Sequence, residues 1–186
     1  MSHTPEHAIL ESLDSMRLNL YGQEGGPRPL RFRVQPDSVR FVKNRAWPGR
    51  QLSYVSCDAE VGSSGTEAWH WTVLATEVAP GRWSAHGVAG GGGRGDECLT
   101  RGSPWANLGG HWGRDGFRAG GTVEDAGRGV ALVRLTDAEG RTFEDSVNDG
   151  VVLLMSDEPV AMPMRLDLFD ADGRVVGTDD WGFVDE

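Results

Sequence analysis

The chain has 186 residues, with 28 acidic against 18 basic side chains and a formal net charge of −10. That length can bury a hydrophobic core without a metal or disulfide framework. The acidic balance, with a pI near 4.9, argues against a general affinity for nucleic acid or anionic membranes, both of which attract basic surfaces.

Thr4-Pro5-Glu6 reads as a helix start, with a hydroxyl N-cap, proline at the first helical position and then an acid. Ile9, Leu13, Met16 and Leu20 recur at helical spacing, and a short helix is expected over about residues 5–15. Met16, Leu18 and Leu20 also alternate with polar residues, which allows a strand after the helix. The Met1–Glu6 stretch has no basic region followed by an apolar run, and no segment approaches 18 apolar residues. The expectation is a cytoplasmic protein with no membrane partner. Cys57 and Cys98 are then reduced thiols, whereas export would allow them to form one disulfide. Residues 1–26 form an N-terminal arm and connector, and the Gly- and Pro-rich stretch from Gln23 to Pro29 leads on into the sandwich.

From Leu30 the period is two. Leu30, Phe32 and Val34 alternate with Arg31 and Arg33; Leu52 and Tyr54 flank Ser53; Trp69, Trp71 and Val73 alternate with His70 and Thr72. Such runs read as half-buried antiparallel strands. Arginines dominate residues 28–50, and their simplest reading is an outward, solvated strand face. Residues 87–121 hold 13 of the 27 glycines, including Gly90 to Gly93, with Trp105 and Trp112 embedded. This reads as a long surface loop, of the kind that carries function. Its glycine tract lacks the Lys-Ser or Lys-Thr of a phosphate loop, so a mobile loop is the expectation.

Beyond it, Val130–Leu135, Thr142–Val147, Val151–Met155, Met164–Phe169 and Arg174–Val176 are expected strands. They are joined by Asp137-Ala138-Glu139-Gly140, Asn148-Asp149-Gly150 and Asp170-Ala171-Asp172-Gly173, each placing Asx or Gly where a tight turn needs positive φ. Met164, Leu166 and Leu168 should face the core, with Arg165 and Asp167 outward. The pattern predicts an all-β, antiparallel two-sheet sandwich, Ig-like or similar, over residues 27–186, with the short N-terminal helix before it. A split near Gly121 is the alternative.

The segment "VALVRLTDAEGRTFEDSVNDGVVLLM" followed by "MRLDLFDADGRVVG" resembles a β-sandwich module found in uncharacterised actinobacterial proteins and near the C-termini of anti-sigma-factor-like proteins. The resemblance implies an all-β sandwich and no agreed activity.

No catalytic motif stands out. His3 and His7 lie i, i+4 but lack a visible third ligand, and Asp170–Gly173 misses the calcium-loop spacing at both ends. No metal and no cofactor is expected. The leading expectation is a non-catalytic module that binds a protein partner through Trp105, His111, Trp112 and Arg114 on the glycine-rich loop. A hydrolase using His86 or His111 beside a carboxylate or thiol (Cys57 or Cys98 with His86 among the options) is one alternative. A carbohydrate-binding module stacking sugars on exposed tryptophans such as Trp47, Trp105 and Trp112 is another.

Overall fold

A computed structural model describes residues 4–15, 18–21, 27–30, 32–62, 65–92 and 103–181. His3, Arg31, Cys98, the Gly93-Arg94-Gly95 part of the glycine tract and residues 22–26 of the connector lie outside the described residues. The protein is predominantly antiparallel β with one short N-terminal helix and several sheets. No described helix is long and apolar enough to cross a membrane. Contacts divide the chain into two compact units, Met1–Glu97 and Cys98–Glu186.

In the first unit, helix α1 spans Pro5–Asp14, with the Thr4 hydroxyl accepting from the His7 amide at 3.2 Å. Its Ile9 and Leu13 are buried. Strands β1 (Leu18–Tyr21) and β2 (Pro27–Leu30) pair with each other, so the expected connector is a strand over its last residues. The main sheet is a meander. Strands β3 (Phe32–Val34) and β4 (Arg40–Trp47), separated by a short 3-10 turn, both pair with one side of β5 (Arg50–Val61). Strand β6 (Thr66–Ala79) pairs with β5, and β7 (Arg82–Gly92) pairs with β6. The helix-side face carries Phe32, Val34, Val55, Cys57, Ala59, Val61, Trp71, Val73 and Ala75 in one cluster with Ile9 and Leu13. The other face is buried at its centre too, at Leu52, Tyr54, Thr72 and Leu74. Burial on both faces explains why Leu52–Val55 reads as less cleanly alternating than a half-exposed strand.

The expected loop over residues 87–121 is corrected for its described residues, 87–92 and 103–121. Gly90, Gly91 and Gly92 are strand residues of β7, paired with Trp71, His70 and Trp69. A Cβ at Gly90 would overlap the Trp71 ring. The glycine is bare backbone on which an indole lies, an aromatic cover over a weak strand position. Composition alone gave a loop because glycine's entropic cost is visible in the sequence and a cross-strand indole is not.

Among its described residues the second unit has seven strands: β8 (Trp105–Gly113), β9 (Gly116–Glu124), β10 (Val130–Thr136), β11 (Thr142–Ser146), β12 (Val151–Ser156), β13 (Met164–Asp170) and β14 (Val175–Trp181). One sheet runs β12-β9-β8, the other β11-β10-β13-β14, and Gly121 lies inside β9. Phe117, Ala119, Val152 and Leu154 from the first sheet share a cluster with Val133, Leu135, Met164, Leu166 and Leu168 from the second. The turns follow the Asx-Gly reading, with Asp149 at φ 50°, Gly150 at 70°, Gly140 at 84° and Gly173 at 77°. Met164, Leu166 and Leu168 are buried as expected, and Arg165 is exposed. Asp167 is a correction: it is buried, its Oδ1 accepting from Arg165 Nε at 3.0 Å and Thr178 Oγ1 at 2.8 Å. Alternation placed it on the outer face, and two neighbouring donors cover it there.

Candidate functional site

Of the residues expected to bind a partner, all four lie on the β8–β9 hairpin, and they split between its two faces. Ala106, Leu108 and Trp112 pack against the core of the second unit. Period-two geometry therefore puts Trp105, Asn107, Gly109 and His111 on the opposite face of β8. Trp112 meets Trp181 edge-on with centroids 5.5 Å apart, and the Trp181 indole N–H donates to the Leu108 carbonyl at 3.1 Å. Trp112 is a half-buried anchor. Trp105 is half-buried at the start of β8, paired with Glu124. The two indoles cannot form one coplanar platform, because they point from opposite sides of the same strand. Trp47, the third candidate for such a platform, carries the Arg45 guanidinium 4.9 Å from its ring centroid.

The hairpin tip brings the rest together. Gly113 pairs with Gly116, leaving Arg114-Asp115 as a two-residue turn. Gly116 adopts φ +104°, and a Cβ there would overlap the Ser156 carbonyl oxygen, so only glycine lets the turn close this tightly. His111, Arg114 and Asp115 are all exposed, with His111 Nε2 3.8 Å from Asp115 Oδ1. Beneath them lies Arg118, whose side chain is 5% exposed. Its Nη1 donates to the Asp115 carbonyl at 2.9 Å and to the Ser156 carbonyl at 3.3 Å. Its Nη2 stands 3.7 Å from the exposed Asp157 carboxylate, and its Nε has no partner. The guanidinium's fixed fork thus ties the hairpin turn to the end of β12. Sequence reading missed Arg118 and Asp115. The Asp115-Gly116 turn signal was available; the burial of an arginine in an alternating strand was not.

Chemically this tip offers an imidazole, a guanidinium and a carboxylate on a pinned turn. Those groups suit polar recognition. The other described histidines are dispersed: His7 lies 3.4 Å from Glu11 on the helix, and His70 stacks on Tyr54 with centroids 5.6 Å apart. Partial burial lowers the His70 pKa. His86 pairs with Leu74, on the face away from the helix, while Cys57 lies on the helix-side face. A Cys57–His86 dyad is therefore geometrically impossible. Burial, with a smaller contribution from Asp58, also pushes the Cys57 thiol up to about 11, which leaves almost no thiolate near neutrality. Among the described residues, no group of three or more His, Cys, Asp and Glu is placed to hold a metal ion.

No protein family, curated protein or solved structure matches the chain.

Proposed function

We propose that this protein is a non-catalytic binding module for a protein partner, and that the β8–β9 hairpin tip is its recognition surface. The observation that carries the reading is the buried Arg118 guanidinium under the exposed His111, Arg114 and Asp115. A fixed base under exposed polar groups lowers the entropy lost when a partner binds. The second unit reads as an Ig-like sandwich. Its first, second and fifth strands share one sheet, and its third, fourth, sixth and seventh share the other. This differs from the constant-type immunoglobulin order only in the sheet joined by the fourth strand. The resemblance of residues 130–176 to a β-sandwich module supports the same reading. We place the protein in the cytoplasm, a compartment that suits the free, buried thiol of Cys57.

The test is site-specific photo-crosslinking in lysate of the native host. A photoreactive residue at Arg114 is compared with one at the exposed Ala138, in the β10–β11 turn of the same unit. The expected result is one dominant protein adduct from position 114 and none from 138. The combined variant His111→Ala, Arg114→Ala and Asp115→Ala should lose that partner while melting within a few degrees of the parent, since exposed substitutions usually change stability by about 0.5 kcal/mol or less. Equal labelling from both positions, or none from position 114, refutes the proposal.

A further inference from the structure

An open sheet edge offers a row of backbone N–H and C=O groups to any other strand, and folded proteins guard such edges with charge, proline, short strands or covering side chains. In the three larger sheets every edge but one is guarded. In the first unit β3 is three residues long, and β4 carries Arg40, Lys43 and Arg45. In the second unit β11 carries Glu144 and Asp145, and β14 carries Asp179 and Asp180. The β12 edge is capped where the Leu153 amide donates to Asp145 Oδ2 at 2.7 Å. The β8 edge is capped where the Leu108 carbonyl accepts from the Trp181 indole N–H.

The exception is β7. It runs for 11 residues, Arg82–Gly92, and among the described residues it pairs with β6 alone. From Trp83 to Gly92 it has no Lys, Arg, Asp, Glu or Pro. It has an extra residue at Val88, since Thr72 stands opposite Ala89 and Val73 opposite Gly87. A bulge there interrupts regular pairing, so the open stretch is Arg82–Gly87. That stretch is complementary to itself. Residues directly opposite in an antiparallel pair share a sheet face. With a two-fold axis at Ala85, Ala85 meets its own copy, Ser84 meets His86 and Trp83 meets Gly87. Trp83 and Ala85 pack on the helix-side face, and Gly87 pairs with Val73 of that face. Ser84 and His86 are exposed on the other face. Only a methyl group sits at the axis, a hydroxyl meets an imidazole, and an indole meets bare glycine backbone, as Trp71 meets Gly90 within the sheet. An axis at Ser84 would instead set Arg82 against His86, and one at His86 would set two imidazoles face to face.

The geometry points to a second copy of this chain as the occupant of the β7 edge: two copies pair β7 with β7, antiparallel about an axis at Ala85, and join their two five-stranded sheets into one. This surface lies in the first unit and does not depend on the hairpin tip of the second. A two-fold interface needs one patch that fits itself, and Trp83–Gly87 is such a patch. Charge selects the same part of the chain. Residues 1–100 carry 11 acidic and 10 basic side chains, against 17 and 8 in residues 101–186. Two copies therefore approach through their first units with little repulsion, and through their second units against it.

Sedimentation equilibrium of the whole chain, from about 1 μM to about 1 mM, reads the association. The mass should rise from 20.1 kDa toward twice that value. Ser84→Lys with His86→Lys sets like charges opposite each other on both sides of the axis. It should weaken the dimer at least about tenfold, and it should melt within a few degrees of the dilute parent because both positions are exposed. Ser84→Asp with His86→Asp should do the same. An equimolar mixture of the two variants should restore a dimer with one copy of each, since every introduced ammonium then faces a carboxylate. Amide exchange of the parent gives the same answer without any variant: Arg82–Gly87 should exchange more slowly in concentrated than in dilute solution. A parent that stays at 20.1 kDa up to about 1 mM overturns the proposal. So does a dimer that both charged variants leave intact, a mixture of folded variants that forms no mixed dimer, or concentration-dependent protection that spares Arg82–Gly87.

Discussion

At the scale of single residues, the polar groups that alternation assigns to the surface do much of the structural work. Asp137 begins the β10–β11 turn with its side chain fully buried. Its Oδ1 accepts from the Glu139 and Arg141 amides at 3.0 and 2.9 Å, and its Oδ2 accepts from Arg141 Nε at 2.8 Å and the Ala161 amide at 3.3 Å. Burial alone would raise its pKa. The amide bonds and the Arg141 guanidinium outweigh that and hold it below the ordinary carboxylate value. A depressed folded-state pKa contributes stability that is complete above the unfolded value and fades as pH falls through the folded one. Asp137→Asn should therefore cost about 1–3 kcal/mol near neutral pH, through lost charge-assisted bonds. Denaturant melts of parent and variant should converge as pH drops below the model-peptide value of 3.8. A gap that stays constant to pH 2, well below that value, would show the carboxylate charge to be irrelevant.

At the scale of strands, glycine separates what the sequence makes legible from what it conceals. The turns were legible. Asx-Gly steps between alternating runs locate β10 to β13 and the start of β14 to within a residue or two, because positive φ is a local demand met by local chemistry, whereas β14 runs on to Trp181, five residues past the expected Val176. The Thr4-Pro5-Glu6 signal likewise places α1. Residues 87–121 were not legible, because there glycine answers a neighbour distant in sequence. At Gly121 a Cβ would overlap the Asn107 carbonyl oxygen and lie 3.0 Å from the Leu108 Cα, so β8 and β9 approach backbone to backbone. The candidate site divides the same way. Its residues were named by type, and which face of β8 each takes depends on strand pairing that composition cannot report. The glycine tract supplies a contrast. A Cβ at Gly90 overlaps the Trp71 ring, while one at Gly91 meets nothing within 4 Å. Gly90→Ala should thus destabilise by about 1–3 kcal/mol, the usual cost of overpacking. Gly91→Ala should leave the melting temperature unchanged or slightly raised. Equal behaviour of the two variants in thermal melts would mean the tract does not form the strand described.

At the scale of the whole molecule, charge is the property with the widest reach. A net charge of −10 on 186 residues leaves an excess of carboxylates that repel one another in the folded state and less so in the expanded one. The excess is lopsided: residues 101–186 carry 17 acidic and 8 basic side chains, against 11 and 10 in residues 1–100. Salt acts on this in two opposing ways. It screens the long-range repulsion, which stabilises, and it screens attractive pairs such as Arg174–Asp172 at 2.8 Å and Arg165–Asp167 at 2.9 Å, which destabilises. Magnitude decides between them. Exposed pairs such as Arg174–Asp172 contribute about 0–1 kcal/mol each and, being in contact, are the least sensitive to a screening length of about 8–10 Å. Repulsion among the uncompensated carboxylates acts over longer separations, where screening is strongest. Raising NaCl from about 0.02 M to about 0.5 M near pH 7 should therefore raise the melting temperature by a few degrees. Near the pI of 4.9 the net charge vanishes, the repulsive part goes with it, and the same addition should leave melting flat or slightly lower. Sodium chloride suits the test, because sulfate would stabilise by exclusion from the protein surface whatever the charge. A melting temperature that falls with salt at pH 7 would show that attractive pairs, and not excess negative charge, dominate the electrostatics of this fold.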